Sequence, residues 1–241
     1  MNYLKRFATP IQTIMTFGLF IQISIIAGLA ATPGVFVAIK IYEWSLIFNV
    51  PEIVRIFSIC FLSLMAYFSY ILCVIIIIPL MRVFSPGSPE GRYPVYSSKA
   101  IKWASYNALI LMVRFTCMNF IKVTPFINLF FRLMGMKLGK RVQINSPIIG
   151  DSNLITIGDD TVIGGDVTLT PHVVEGDILV VERIHIGSRV SVGLMSVVMP
   201  GCQIGDDATI AANTVLKKGS IVAPGEIWAG VPGRKIGEKT I

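Results

Sequence analysis

The residues of this chain with the clearest chemical potential are its two histidines, His172 and His185. His172 stands at the base of a segment, residues 173–185, that interrupts an otherwise regular six-residue pattern. An imidazole titrates near neutral pH and can take the proton of a hydroxyl group that attacks a carbonyl, which is worth about 10²–10⁴-fold in rate. We therefore predict that His172 is a general base. A solvated loop histidine is the alternative interpretation.

Two acids close to His172 are candidates to orient its ring. Glu175 lies within the interruption and Asp166 lies in the preceding repeat, although each is also an ordinary acid for a loop or a corner. His185 stands between two isoleucines. If the isoleucines point inwards, the alternation of a strand turns His185 outwards, so that we predict a surface histidine.

A repeat of six residues must position these side chains. Each unit opens on an aliphatic residue, often followed by Gly; the units begin at Ile157, Ile163, Ile186, Val192, Val198, Ile204, Ile210 and Leu216, with a degenerate earlier unit at Leu138. Neither the helical period of 3.6 nor the strand period of 2 produces a repeat of six. Six residues form a short strand and a corner, and three units close one triangular coil with the aliphatic side chains inside. Gly or Asp accommodates the backbone of the corner.

Composition separates an apolar, basic half from an acidic half. Hydrophobic residues make up 54% of the 241 residues and the mean hydropathy is +0.71, which is too apolar for an ordinary soluble enzyme. The net charge of +7 combines +11 for residues 1–141 with −4 for residues 142–241. Cations that flank apolar helices are attracted to anionic lipid. The charges therefore favour a lipid bilayer as the partner, and they do not favour nucleic acid.

Two segments, at about residues 11–31 and 56–81, contain the roughly 20 apolar residues that cross a bilayer. Lys5 and Arg6 precede the first segment, and Arg82 and further cations follow the second. Positive-inside reasoning puts both ends of this hairpin, and with them the repeats, on the cytoplasmic side of an inner membrane. We therefore expect a transmembrane helical hairpin over residues 1–82.

Residues 83–135 are expected to connect the hairpin to the repeats. Residues 83–98 are rich in Pro, Gly and Ser, which is typical of a linker. The remainder is apolar but carries Arg114 and other cations, and a charge at the centre of a spanning helix is costly. We predict interfacial or re-entrant helices with Trp103 at headgroup level. The alternative, a third crossing, would put the repeats outside.

The chain resembles the hexapeptide-repeat acyltransferases over about residues 136–236. The likeness is carried by the six-residue units, by the interruption with His172, and by the terminal Ala229-Gly230-Val231-Pro232-Gly233-Arg234, where the family usually has Ala at Gly233. The order of an apolar hairpin, a linker, the motif at residues 132–139 and the repeats is similar to the membrane-bound C-terminal portion of poly-lysine-type peptide synthetases. The resemblance implies a left-handed parallel β-helix over residues 136–241, His172 as the base, and a homotrimer with sites between neighbouring prisms.

The resemblance also implies that acyl-CoA, with acetyl-CoA first, binds in a groove beside the coils that follow His172. The candidate binding residues are Gly193, Ala211, Ala212, Lys217, Lys218 and Arg234. The three small residues would let the pantetheine arm approach the backbone, but a tight solenoid needs small residues too. The three cations would meet the CoA phosphates or form a solvated cationic surface. Trp228 would stack on the adenine or cap the last coil.

These expectations favour a membrane-anchored O-acyltransferase, and an acetyltransferase in the first place. Its acceptor would be a hydroxyl of a membrane-associated molecule, such as a lipid-linked glycan or another envelope precursor. N-acyl transfer, an acyl-carrier-protein donor and a non-catalytic β-helix scaffold stay open as alternatives. A zinc enzyme built on the same prism needs three histidine ligands, and since the chain has two we expect no metal.

Overall fold

The chain divides into two compact units between Met81 and Arg82. The structure is a computed structural model that describes residues 8–239. Lys5 and Arg6, the cations expected before the first span, lie outside the described residues.

The first unit is a hairpin of two long helices, α1 (Ala8–Ile47) and α2 (Glu52–Met81). Both contain stretches that are long and apolar enough to cross a membrane, judged by length and composition. Helix α1 does not end before Pro33 but continues through it to Ile47. Gly34 lies so close to α2 that an added Cβ would be 2.7 Å from Cα of Ala66, and the two helices therefore pack tightly at this point.

The second unit begins with three helices, α3 (Ser98–Thr116), α4 (Met118–Ile121) and α5 (Pro125–Leu133). The Ser97 side chain caps α3, and the Thr124 side chain caps α5 just before a proline at its first position. Each of the two capped helices buries one face; the buried residues include Tyr106, Leu109, Ile110 and Val113 of α3 and Ile127, Phe130 and Phe131 of α5. Residues 83–135 are therefore part of the same compact unit as the repeats. Their contact with a membrane interface stays a prediction.

The strands of the second unit are short and numerous. They are β1 (Gly91–Pro94), β2 (Lys137–Leu138), β3 (Gln143–Ile144), β4 (Ile155–Ile157), β5 (Val162–Ile163), β6 (Thr168–Leu169), β7 (His172–Glu175), β8 (Ile178–Val181), β9 (Ile184–Ile186), β10 (Ser191–Val192), β11 (Val197–Val198), β12 (Gln203–Ile204), β13 (Thr209–Ile210), β14 (Val215–Leu216), β15 (Ile221–Val222), β16 (Glu226–Ala229) and β17 (Arg234–Glu238).

Three parallel sheets form the faces of the prism: β2-β4-β9-β12-β15, β6-β11-β14, and β3-β5-β10-β13-β16 with β17 antiparallel at its edge. Successive coils stack in register, so that Ile157 lies beside Ile186 and Ile186 beside Ile204. The aliphatic residue that opens each unit from Ile157 onwards is buried in the prism interior, and Leu138 of the degenerate unit is half-buried. The predicted left-handed parallel β-helix is confirmed.

Two positions of the repeat have special backbone requirements, one at the corner and one where successive coils meet. The fourth residue of each unit turns the corner with φ in the left-handed region, 56° at Asp160 and 61° at Asp207, which Asp, Asn and Gly adopt most readily. The second residue meets the next coil: a Cβ on Gly187 would lie 2.7 Å from the backbone N of Asp206. Coil stacking therefore requires glycine at Gly187, whereas the units that begin at Val198, Ile210 and Leu216 have another residue at the second position.

The interruption is an antiparallel hairpin of β7 and β8. Strand β1, from the Pro/Gly/Ser-rich segment expected to be a linker, adds a third strand, with Tyr93 paired to Leu179. Tyr93, Leu179 and Val181 share a small hydrophobic core with Leu154. This core fixes the hairpin against the coil on which His172 stands.

Candidate active site

His172 is the first residue of β7, at the base of the hairpin as predicted. Its Nδ1 is hydrogen bonded to the carboxylate Oδ2 of Asp151. The imidazole is 28% exposed, whereas the Asp151 side chain is 2% exposed. Because a carboxylate only accepts hydrogen bonds, this pairing assigns the ring proton to Nδ1 and leaves the lone pair of Nε2 available.

Asp151 is held in place from helix α3. The side chain of Asn107 donates from Nδ2 to Oδ1 of Asp151 at 2.7 Å and accepts the backbone N–H of Asp151 at Oδ1, at 3.1 Å. Asp151 itself has a left-handed backbone with φ 39° and ψ 48°, in the turn before a single 3₁₀ turn at Ser152–Leu154. The reciprocal pair of bonds fixes the orientation of the carboxylate towards His172.

A buried tyrosine of α3 supports the same turn. The hydroxyl of Tyr106 donates to the carbonyl of Met134 at 2.6 Å, lies 2.7 Å from Oγ of Ser152 and accepts the N–H of Asn153 at 3.2 Å. Since its single hydrogen is used on Met134, Ser152 donates to it. Burial raises the pKa of Tyr106 to about 12, so that the phenol stays protonated and can serve as this donor.

Trp103, one turn before Asn107, packs edge to face on the imidazole, with ring centroids 4.7 Å apart. The same indole packs on the small core beneath the hairpin. Trp103 therefore connects the position of α3 to the position of the His172 ring.

A cavity of about 310 Å³ opens beside His172, between α3 and the first coils. Its lining is largely apolar, with polar groups from His172, Asn107 and Arg114. Gly150 faces it without a side chain, and a Cβ there would lie 3.4 Å from Cε1 of His172. A half-exposed base beside an apolar concavity with few polar groups is typical of a small-molecule site.

The structure pairs neither of the predicted orienting acids with His172. The Glu175 carboxylate accepts hydrogen bonds from Lys218 at 2.9 Å and from Arg92 at 3.2 Å, and these contacts lower its pKa. Asp166 is an exposed corner residue with φ 54°. His185 is exposed on β9, as predicted.

The three predicted phosphate-binding cations come together in a second concavity of about 460 Å³. Lys217, Lys218, Arg234 and Trp228 all line it. Lys218 is engaged with Glu175 and, at 3.7 Å, with Glu182. Within residues 8–239, Lys217 and Arg234 have no carboxylate partner, so that these two cations are the ones open to an anion.

The small residues of the predicted CoA groove are not among those that line this concavity. Gly193 lies directly against the next coil, where an added Cβ would be 2.7 Å from the carbonyl carbon of Ala211. Coil stacking therefore accounts for Gly193 without a ligand, and a role of Ala211 and Ala212 in binding stays a prediction. Trp228 is paired with Ile210 in register, in the place of an inward aliphatic residue, which favours the cap interpretation.

Sequence reasoning missed Asp151, Asn107 and the position of Trp103. A coil of three units is roughly 18 residues long, so that residues about one coil apart become neighbours. Asp151 is 21 residues before His172, which is close to one coil, so that this rule would have indicated Asp151 as the neighbouring acid. Its irregular turn precedes the first clean unit, and no repeat pattern indicates it.

A family model described as bacterial transferase hexapeptide (six repeats) matches residues 183–218. Delta-poly-L-ornithine synthetase of Acinetobacter baumannii is 30% identical over 177 residues, which are 73% of this chain and 13% of that protein. This match is longer than the β-helix and so includes residues before it. Galactoside O-acetyltransferase of Escherichia coli is 36% identical over 43% of this chain and 54% of that protein. The chain thus spans about an eighth and about half of these relatives.

The fold is also that of a solved structure. The maltose O-acetyltransferase from Clostridium difficile 630 superposes with a TM-score of 0.51 and 17% identity, over 63% of this chain and 94% of that chain. Together with the repeat register, these matches show that the second unit of this chain contains hexapeptide repeats and has a left-handed β-helix fold similar to that of acyltransferases.

Proposed function

We propose that this protein transfers an acyl group, in the first place acetyl, from acyl-CoA to a hydroxyl group, with His172 as the general base. The observation that carries the proposal is the His172–Asp151 pair at the edge of the 310 Å³ cavity. The name of the Escherichia coli relative, galactoside O-acetyltransferase, supports acetyl transfer to a hydroxyl.

The pair supplies the proton transfers of such a reaction. Asp151 keeps the proton of Nδ1 in place, so that Nε2 can take the proton of the acceptor hydroxyl while its oxygen attacks the thioester carbonyl. When the tetrahedral intermediate collapses, the C–S bond breaks and the proton passes from Nε2 to the departing thiolate. The imidazole ends neutral, the products are the ester and free CoA, and no covalent enzyme intermediate is needed.

The second concavity is the candidate site for the phosphates of CoA. Lys217 and Arg234 are exposed cations without carboxylate partners among the described residues, and they lie at its rim. Lys218, engaged with Glu175, contributes less charge to an incoming anion. In a homotrimer, which the family resemblance favours, this concavity of one protomer would act with the His172 site of a neighbour.

The same proposal places the protein at a membrane. Helix α5 buries one face but exposes Phe126, Leu129 and Arg132, and the half-buried Lys122 lies shortly before the helix. Apolar side chains interspersed with cations suit the boundary between headgroups and acyl chains. With the apolar hairpin α1–α2 as the anchor and the β-helix on the cytoplasmic side, the protein would act on a membrane-associated acceptor such as a lipid-linked glycan.

The test uses the full chain purified in detergent, as wild type, His172→Ala and His185→Ala. Acetyl-CoA binding is measured by thermal shift, and CoA release is then measured with hydroxyl acceptors. We expect binding in all three proteins and turnover in wild type and His185→Ala only. If His172→Ala turns over as fast as wild type, His172 is not the general base.

A second outcome would change the class of protein. If neither acetyl-CoA, longer acyl-CoA nor acylated carrier protein binds, the non-catalytic scaffold becomes the better interpretation. If carrier protein binds and CoA does not, or if amines are acylated and alcohols are not, the donor or the acceptor in the proposal is wrong.

A further inference from the structure

The cavity beside His172 is bounded by one face of a helix. Trp103, Asn107, Ile110 and Arg114 of α3 are spaced four, three and four residues apart, and all four line the cavity. Asn107 lies at the end of the cavity where His172 is, because its side chain is hydrogen bonded to Asp151, the partner of His172. Arg114 follows it by seven residues, which is about 10 Å along a helix axis.

The region between these two ends is apolar. Ile110 of α3 faces Ile149 and Leu169 of the coils, and all three line the cavity. A bound molecule would therefore meet a base at one end, hydrocarbon in the middle and a guanidinium at the other end.

Arg114 differs from most arginines of the second unit. Four arginines of this unit pair with carboxylates and two donate to backbone carbonyls; the former are Arg92, Arg141, Arg183 and Arg189, and the latter are Arg82 and Arg132. In the described part of the chain Arg114 has neither kind of partner, and its guanidinium lies 5.7 Å from the ring centroid of Phe115. Arg114 is half-buried, and a guanidinium without a carboxylate partner is free to bind an anion through two parallel hydrogen bonds. A ligand at this end of the cavity would supply one.

The surroundings of Arg114 indicate what kind of anion this is. Leu111, which also lines the cavity, is 42% exposed, and Phe115 is 80% exposed. The cation thus stands beside an apolar surface. Such a surface suits an amphiphile better than a small hydrophilic ion.

We propose that the cavity binds the acceptor through a phosphate group held by Arg114 at one end, with a hydroxyl group at His172 at the other end. The acceptor class is thus a hydroxyl-bearing phosphate amphiphile, and Arg114 is the residue that selects it. The position of the hydroxyl rests on the function proposed above; the phosphate site at Arg114 does not.

The test measures equilibrium binding to the full chain in a neutral detergent. The probes are 8-hydroxyoctyl phosphate, its uncharged match 1,8-octanediol, and inorganic phosphate. The variants are Arg114→Gln, Arg114→Lys and, as a control at an exposed corner of the coils, Arg141→Gln. Acetyl-CoA binding is measured on every variant in parallel.

We expect wild type to bind the phosphate probe at least about tenfold more tightly than the diol and than inorganic phosphate. Arg114→Gln should abolish this preference, Arg114→Lys should keep part of it, and Arg141→Gln should leave it unchanged. Equal binding of the phosphate probe and the diol to wild type, or a preference that survives Arg114→Gln, would overturn the proposal. If inorganic phosphate binds to wild type as tightly as 8-hydroxyoctyl phosphate does, the apolar chain contributes nothing and the ligand is not an amphiphile.

The parallel measurement separates the two proposals. If acetyl-CoA fails to bind any of the proteins while the Arg114-dependent preference persists, the transferase function fails and the phosphate site stands. If acetyl-CoA binds and the preference is absent, the acceptor assignment alone fails.

Discussion

The coils after the hairpin and the turn beneath His172 belong to the same prism but bury different groups. In residues 186–222 the interior is mainly aliphatic, with Ser196 and Thr214 as buried polar residues, and stacked coils form the backbone hydrogen bonds. In the turn at residues 146–152, Ser146, Asp151 and Ser152 are all buried polar residues. The repeat does not continue through this turn. Asn107 and Tyr106 of α3 supply hydrogen bonds at residues 151–153, and in doing so they position the acid that meets His172.

The sharpest test of the irregular turn is Asp151→Asn. The amide can donate to Nδ1 of His172, which would move the ring proton to Nε2 and remove the base. We expect turnover to fall by about 10²-fold with the KM for acetyl-CoA unchanged. Steady-state kinetics with Glu175→Gln as the control measures this. A loss of equal size in Glu175→Gln would contradict the assignment of Asp151.

The regular coils can be tested at two adjacent glycines. A Cβ on Gly164 would lie 2.7 Å from the carbonyl oxygen of Val192, whereas a Cβ on Gly165 has its nearest neighbour at 3.7 Å. We expect Gly164→Ala to lower the free energy of unfolding by about 1–3 kcal/mol. Gly165→Ala should be neutral or slightly stabilising. Thermal unfolding in detergent distinguishes them, and equal effects would mean that coil stacking does not fix the second position.

Tyr106→Phe tests whether α3 stabilises the irregular turn. The substitution leaves the Met134 carbonyl and the Asn153 N–H without their buried partner, and we expect a cost of about 1–2 kcal/mol. Thermal unfolding measures it, with Ser152→Ala as the companion that removes one bond of the same group. An unchanged Tm for Tyr106→Phe would show that the turn holds without this contact.

The smallest effect is expected at the corner ion pairs of the coils. The Arg189 guanidinium bonded to Asp207 lowers the pKa of this carboxyl below its ordinary value. A carboxyl whose pKa is lower in the folded state stabilises above its unfolded pKa, and this stability is lost as the pH falls through the folded value. Asp207→Asn should therefore be less stable than wild type at pH 7 and equal to it in strong acid.

Unfolding midpoints against pH and salt test this difference. Asp166→Asn, at a corner without an ion pair in the described residues, serves as the control. A difference between wild type and Asp207→Asn that persists in acid or in high salt would exclude the ion pair as its source.

Several features were determined by the sequence alone. The period of six fixed the coil, because no helix or simple strand has that period, and the buried aliphatic positions followed from it. The break in the period located the hairpin and His172 at its base. These are local properties that are repeated many times along the chain, so that each unit supports the assignment of its neighbours to the same repeat.

The tertiary structure alone decided which groups meet at the site. Asp151 and His172 are 21 residues apart, and Asn107 is a further 44 residues before Asp151. Trp103, expected at headgroup level, lies against the imidazole, and Arg114, expected at a membrane interface, lines the cavity. The sequence could not provide these contacts because hydrophobic periodicity says that a helix face is buried and does not say against what. The partner of a single acid or cation depends on how helix and coils pack.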